Sequence, residues 1–325
     1  MPLETSDLVT NPFAPLEDRA DPKVPTATLQ IYDFIHNHLK NDGNTTINRA
    51  SSASLCWKRR WFQRKNTPGE PLTPRKQVNF LLGNLSECVM LYFIKHACVG
   101  EGKLYSQVDF GKVIGSIQFQ GKMFDLYEQE TLETKVGNIN VSGHADGFGK
   151  RNSDGKWELI ECKSAANYGF QDFQTTGPKD YLKQSAVLMK SDKAQSLQIK
   201  EVRFFYLRKE SGHLWDRVFP FDERLWVDVQ DDYAAAMHPA DIPGPYFPIN
   251  ETVRGKPTGR LKLPFPCRGY CPYTVHCHGE TEIDWRPDQW GHSKPVFLIK
   301  QIKTNEGESH EVPGTGRRRK TFCKT

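Results

Sequence analysis

The chain has 325 residues, 37% apolar and 26% charged, with 44 Lys and Arg against 39 Asp and Glu, the make-up of a globular chain able to bury one elaborated domain. No apolar run approaches the roughly 18 residues of a membrane span, and the opening Met1-Pro2-Leu3-Glu4 lacks the regions of a secretory signal, so a cytoplasmic protein without membrane partners is expected. A net charge of +5 is too small to diagnose nucleic-acid binding, and eight cysteines in a reducing compartment suggest metal binding or burial before disulfides.

Residues 1–24, rich in Pro, Asp and Thr, read as a flexible N-terminal arm, and residues 291–325 as a basic C-terminal tail ending in Arg317-Arg318-Arg319-Lys320. Residues 25–290 between them form the expected domain. Thr26 to Lys40 is patterned as an amphipathic helix, and Ser51 or Ser52 could cap a second helix through Arg64. Thr73-Pro74 starts a third, since Pro is tolerated where the first helical N–H has no partner. There Val78, Leu82, Leu85 and Val89 line one side while Phe80, Gly83, Met90, Leu91 and Ile94 make the other apolar, so burial nearly all round is expected. Glu87 falls within that second side, a costly place for a carboxylate unless it is paired, protonated or bound to a cation.

Strands are expected over residues 106–110, 113–120, 139–148 and 156–163, then a helix after Pro178, strands over 202–207 and 214–219, and a helix opened by Asp222. This order implies an α/β fold with a mixed sheet core flanked by helices. Asn152-Ser153-Asp154-Gly155 is turn chemistry between two strand-like runs, which predicts an antiparallel hairpin. A turn centred on Ser153 and Asp154 puts Asp146 opposite Glu161, and one centred on Asp154 and Gly155 puts it opposite Lys163. In both registers Asp146, Glu161 and Lys163 share a face, because side chains alternate along a strand. A divalent cation explains two carboxylates and a lysine gathered there, since Mg²⁺ is typically held by one or two carboxylates beside substrate phosphate. Lys163 could then orient or deprotonate an attacking water, or stabilise developing charge. The plain alternative is a cross-strand salt bridge.

The constellation Gly143-His144-Ala145-Asp146, then Glu161-Cys162-Lys163, resembles the RecB-like branch of the PD-(D/E)xK nuclease superfamily. The branch also carries Gly-x-x-x-His or Glu on an earlier helix, matched by Gly83 to Glu87, and a Gln on a later helix, matched by Gln184; Leu188 stands where a Tyr is common. The resemblance implies a restriction-endonuclease-like core, with Glu87, Asp146 and Glu161 holding Mg²⁺ or Mn²⁺, the Cys162 carbonyl as a further ligand, and Lys163 and Gln184 in catalysis. It implies a metal-dependent deoxyribonuclease, a single-strand exonuclease or DNA-end-processing enzyme in recombination, repair or mobile-element DNA metabolism, with a possible protein partner. The alternatives are a structure-specific endonuclease and a non-cleaving DNA-binding protein.

Cys267, Cys271 and Cys277 crowd one short loop, a pattern of ligands more than of packing, with Cys56 as a distant fourth. Spacing alone leaves zinc and iron–sulfur both open. The resemblance favours a 4Fe-4S cluster, because iron–sulfur members of the branch, including CRISPR adaptation nucleases and AddB subunits, carry one Cys before the nuclease motifs and three after. Lys58, Arg59, Arg60, Arg64 and Lys65, interleaved with Trp57, Trp61 and Phe62, are expected to contact phosphates and stack on a single strand.

Overall fold

The computed structural model describes residues 48–69, 74–175, 177–237, 249–253, 256–263, 267, 271–278, 283–287 and 293–298, together with the helical positions Ala27, Gln30, Ile31 and Phe34. The arm 1–24, the Thr73 cap and residues 299–325 of the basic tail lie outside the described residues.

A central sheet is built from β1 (Tyr105–Asp109), β6 (Gly147–Arg151), β7 (Trp157–Ala165), β8 (Glu201–Arg208) and β9 (Leu214–Pro220), ordered β1-β6-β7-β8-β9. β7 and β8 run parallel and the other neighbours antiparallel, giving the expected mixed sheet. Parallel neighbours need a crossover, here made by α3 (Asn167–Thr175), α4 (Lys179–Met189) and α5 (Asp192–Ser196). Two outlying hairpins pair β2 (Lys112–Phe119) with β3 (Lys122–Glu128), and β4 (Thr131–Val136) with β5 (Ile139–His144). α6 (Glu223–Ala235) follows the central sheet, capped by the Asp222 carboxylate, which accepts from the Arg224 and Leu225 amides.

Both faces of β7 are covered, so its middle reads as a continuous apolar run interrupted only by its glutamates. On one face Leu159 packs with Phe170, Phe173, Val187 and Leu188; on the other Ile160 and Cys162 pack with Met90, Leu91 and Ile94 of α2 (Pro74–Ala97). Fully buried Glu158, also on the second face, accepts from Tyr105 Oη at 2.6 Å, Arg203 Nε at 2.6 Å and Arg151 Nη1 at 3.3 Å. Three donors satisfy a carboxylate that would be costly there unpaired.

Three expectations are corrected. The segment 139–148 is two strands, broken at Ala145-Asp146 where the chain leaves the β4–β5 hairpin for the central sheet. The second helix, α1 (Trp57–Arg64), starts at a Cys56 cap; Ser51 and Ser52 belong to a preceding 3₁₀ turn, Ala50–Ser52. α2 is not buried all round: Met90, Leu91 and Ile94 are buried, but Phe80, Leu81, Leu82 and Leu85 are exposed. Over Gln77–Ala97 it is also long and apolar enough to cross a membrane by length and composition, although its C-terminal half packs on β7 as a core helix does.

Beyond α6 a four-stranded antiparallel sheet runs β10-β11-β13-β12, from β10 (Ile249–Val253), β11 (Lys256–Lys262), β12 (Ile283–Pro287) and β13 (Ser293–Leu298). β13 lies inside the segment read as a basic tail. The short helix α7 (Thr274–His278) sits between β11 and β12.

Candidate active site

The Asn152–Gly155 turn closes the β6–β7 hairpin in the register centred on Ser153 and Asp154: Gly147 pairs with Ile160, Phe148 with Leu159, Gly149 with Glu158 and Lys150 with Trp157. Extended by one residue, this register puts Asp146 opposite Glu161. Arg151 clasps Asp154 across the turn at 2.7 Å, and Gly155 takes the positive φ of 70° that favours glycine.

Glycines set the approach to Asp146. A Cβ on Gly143 would stand 2.5 Å from the Ala50 Cβ and 2.8 Å from Leu188, and one on Gly147 would stand 2.4 Å from the Phe110 ring. Packing on both sides of the strand break therefore requires Gly at each position, and the carboxylate between them is held in place. Leu188, which stands where a Tyr is common in the resembled branch, is core packing, buried against Gly143.

Asp146 Oδ2 accepts from the Cys162 amide at 2.6 Å and lies 3.8 Å from Lys163 Nζ, while Lys163 donates to Glu161 Oε2 at 2.6 Å. Glu161 is 1% exposed and its Oε1 has no hydrogen-bond partner. Glu87 reaches the cluster from α2 through Gln129, whose Nε2 donates to Glu87 Oε1 at 2.5 Å and Asp146 Oδ1 at 2.9 Å. Burial and the neighbouring Asp146 push Glu87 up to about 8, with Lys163 opposing. Burial likewise pushes Glu161 up to about 7 against the pull of Lys163. Burial would discharge Lys163, but Glu161 and Asp146 outweigh it and hold the ammonium well above the ordinary lysine value.

The structure thus brings Glu87, Asp146, Glu161 and Lys163 together in one cluster. Cys162 is buried in it with its amide N–H committed to Asp146. Gln184 lies on α4 three residues after Tyr181, whose ring stands 5.4 Å from Lys163 Nζ, so both occupy one side of that helix. Gln184 makes none of the hydrogen bonds that tie the carboxylates together. Gln129, in the link between β3 and β4, was not visible in the sequence. Gly111 fixes that link, since at φ 87° a Cβ there would stand 2.3 Å from the Glu128 carbonyl oxygen.

The four cysteines converge on a second site. Cys56 caps α1, Cys271 precedes α7, Cys277 lies within it, and Thr274 Oγ1 donates to the Cys267 and Cys271 carbonyls at 2.8 and 3.1 Å. Burial, then the neighbouring thiols, push Cys267 and Cys277 up to about 12. Among the described residues no three His, Cys, Asp or Glu side chains stand as a metal-binding group in either site.

The basic helix beside these thiols differs from expectation. Arg60 is 2% exposed, donates through Nη2 to the Asp232 carbonyl and lies 4.3 Å over the Tyr233 ring. Arg64 contacts Met237, and Phe62 stacks on Tyr273 with ring centroids 5.4 Å apart. Arg60 is therefore a structural cation joining α1 to α6, not a phosphate contact.

No protein-family profile matches the chain, and no curated protein matches it in sequence. Among solved structures it is similar to SSO0001 at 12% identity and a TM-score of 0.40, over 78% of this chain and 96% of that one. It is also similar to LHK-Exo, an alkaline exonuclease from Laribacter hongkongensis, at 13% identity and a TM-score of 0.35, over 58% and 84% of the two chains. The dAMP complex of LHK-Exo aligns at 14% identity and a TM-score of 0.35, over 59% and 87%.

Proposed function

We propose that the protein is a metal-dependent deoxyribonuclease that hydrolyses phosphodiester bonds at Asp146, Glu161 and Lys163, and that it processes DNA with free or single-stranded ends. The observation that carries the reading is the buried Glu161 oxygen without a partner, set among two further carboxylates and one fixed cation. A lone salt bridge would not gather three carboxylates around one lysine, nor leave an anionic oxygen bare, because an unpaired buried charge is expensive.

Glu87, Asp146 and Glu161 would hold Mg²⁺ or Mn²⁺, with the Cys162 carbonyl as a further ligand. The cation, when bound, would lower the pKa of a bound water and neutralise charge on the scissile phosphate. Glu161 holds Lys163 at the edge of the cluster, where its ammonium orients the attacking water and stabilises the negative charge that develops on phosphorus oxygens. In the cation-free protein its two carboxylate neighbours keep Lys163 protonated. The water oxygen bonds to phosphorus as the water gives up a proton to solvent, the phosphorus–oxygen ester bond breaks, and the departing oxygen takes up a proton from solvent. Gln184, one helical turn from Tyr181, would take part in catalysis beside Lys163.

Cys56, Cys267, Cys271 and Cys277 would hold a 4Fe-4S cluster, with structural Zn²⁺ as the alternative. Four half-buried thiols brought together from opposite ends of the nuclease segment support this, since thiolate ligands from two segments clasp them. A recombination or replication protein would be the natural partner of such an end-processing enzyme.

End-labelled linear single strands, linear duplex and covalently closed single-stranded circles, incubated with the protein and Mn²⁺, test the reading. Linear substrates should be degraded and circles spared. Efficient cutting of circles would replace the end-dependent reading with an endonuclease, and no cutting of any DNA would refute nuclease activity.

A further inference from the structure

Gln129 stands where the proposed chemistry wants a cation. Its Nε2 lies 2.5 Å from Glu87 Oε1 and 2.9 Å from Asp146 Oδ1. The two acidic groups come from different elements, α2 and the β5–β6 junction, so a single nitrogen ties them together. An amide NH₂ carries two donors and can serve both at once. Mg²⁺ binds carboxylate oxygens at about 2.0–2.1 Å, so a nitrogen this close to both oxygens fills the volume a shared cation would need. The bare, buried Oε1 of Glu161 belongs to the same cluster and is a ligand atom not yet used.

We infer that Gln129 is a displaceable placeholder for the active-site cation, tying Glu87 to Asp146 in the cation-free protein and withdrawing when a divalent cation binds. Its backbone is held by the close approach of Gly111 to Glu128, whereas the side chain is half-buried. Gln129 thus preserves the spacing of the carboxylates before the cation arrives, and it competes with the cation for them. The inference rests on the proposed function, because it presumes that these carboxylates bind a cation.

Calorimetric titration of Mn²⁺ into the full-length wild type, Gln129→Ala, Gln129→Met and Asp146→Ala, with thermal melts in the absence of metal, tests it. Both Gln129 variants should bind Mn²⁺ about tenfold tighter, equivalent to about 1.4 kcal/mol. Both should melt at lower temperature without metal and gain more from its addition. Unchanged or weaker Mn²⁺ binding by both overturns the inference, and weaker binding would make Gln129 a ligand instead. Failure of the underlying reading looks different: the wild type would bind no Mn²⁺, or Asp146→Ala would bind it equally well.

Discussion

Lys163 and Glu161 leave the same face of β7 and meet at 2.6 Å, yet the pair is only half closed: one Glu161 oxygen accepts the ammonium and the other lies buried without a partner. A finished salt bridge would satisfy both oxygens. With Asp146 across the hairpin and Glu87 tied in by Gln129, three carboxyl groups crowd around one lysine.

Lys163→Met should lower the rate of DNA cleavage by about a hundredfold or more, the scale of removing one preorganised electrostatic group. DNA affinity should change little, since affinity comes from many distributed phosphate contacts. The pH–rate profile should keep its shape, because a lysine held as a cation contributes no base. A profile that loses its rising limb in the variant would make Lys163 the base after all.

The acidic groups set a pH dependence for the cation-free protein. Glu87 and Glu161 have ordinary values of 4.5, raised on folding to about 8 and about 7. Between these limits the folded state binds more protons than the unfolded state, so stability falls as pH rises. Their contribution is full below about 4.5 and lost by about 8. Thermal melts in EDTA should show the melting temperature dropping across this window, and Glu161→Gln should flatten the drop. Mn²⁺ should reverse it, with the largest gain at the alkaline end. A melting temperature that climbs steadily with pH in EDTA would contradict the electrostatics of the site.

Arg60→Ala should destabilise the protein by about 2–4 kcal/mol, because it removes a charged hydrogen bond and a buried cation–π interaction at once. Denaturant unfolding measures this. If Arg60 instead bound DNA, the variant would unfold like wild type and lose affinity with a shallower salt dependence.

For the cysteine site, protein purified without oxygen should be brown and contain iron and sulfide, and Cys56→Ser should lower both its metal content and its melting temperature. Stoichiometric zinc without iron would decide for the alternative ligand. A colourless, metal-free protein whose stability is indifferent to Cys56→Ser would remove the clasp altogether.

What the sequence revealed and what it hid have a common cause. The Asn152–Gly155 turn is local chemistry, and period-two alternation carries its register four pairs to Gly147–Ile160, so the meeting of Asp146 and Glu161 was legible. Glu87 was legible as an anomaly, a charge on an apolar helix side. Gln129 was not, because its role arises only when Gly111 fixes the β3–β4 link beside the middle of α2, a closure with no periodic signature. Arg60 looked like one of a run of solvated cations, and only its packing with Asp232 and Tyr233, about 170 residues away, buries it. Apolar residues along both sides of α2 suggested burial, but periodicity reports a face and not what covers it, and Phe80 to Leu85 remain exposed.

The central claim is that Glu161 and its neighbours cut DNA with a bound cation. The most direct measurement is the single-turnover rate of cleavage of end-labelled single-stranded DNA by wild type and Glu161→Gln, each with Mn²⁺ and with EDTA, after circular dichroism shows the two equally folded. The wild type should release labelled nucleotides only with Mn²⁺, and Glu161→Gln should show no release above background in either condition. A Glu161→Gln rate close to wild type, or wild-type cleavage undiminished by EDTA, would contradict the account.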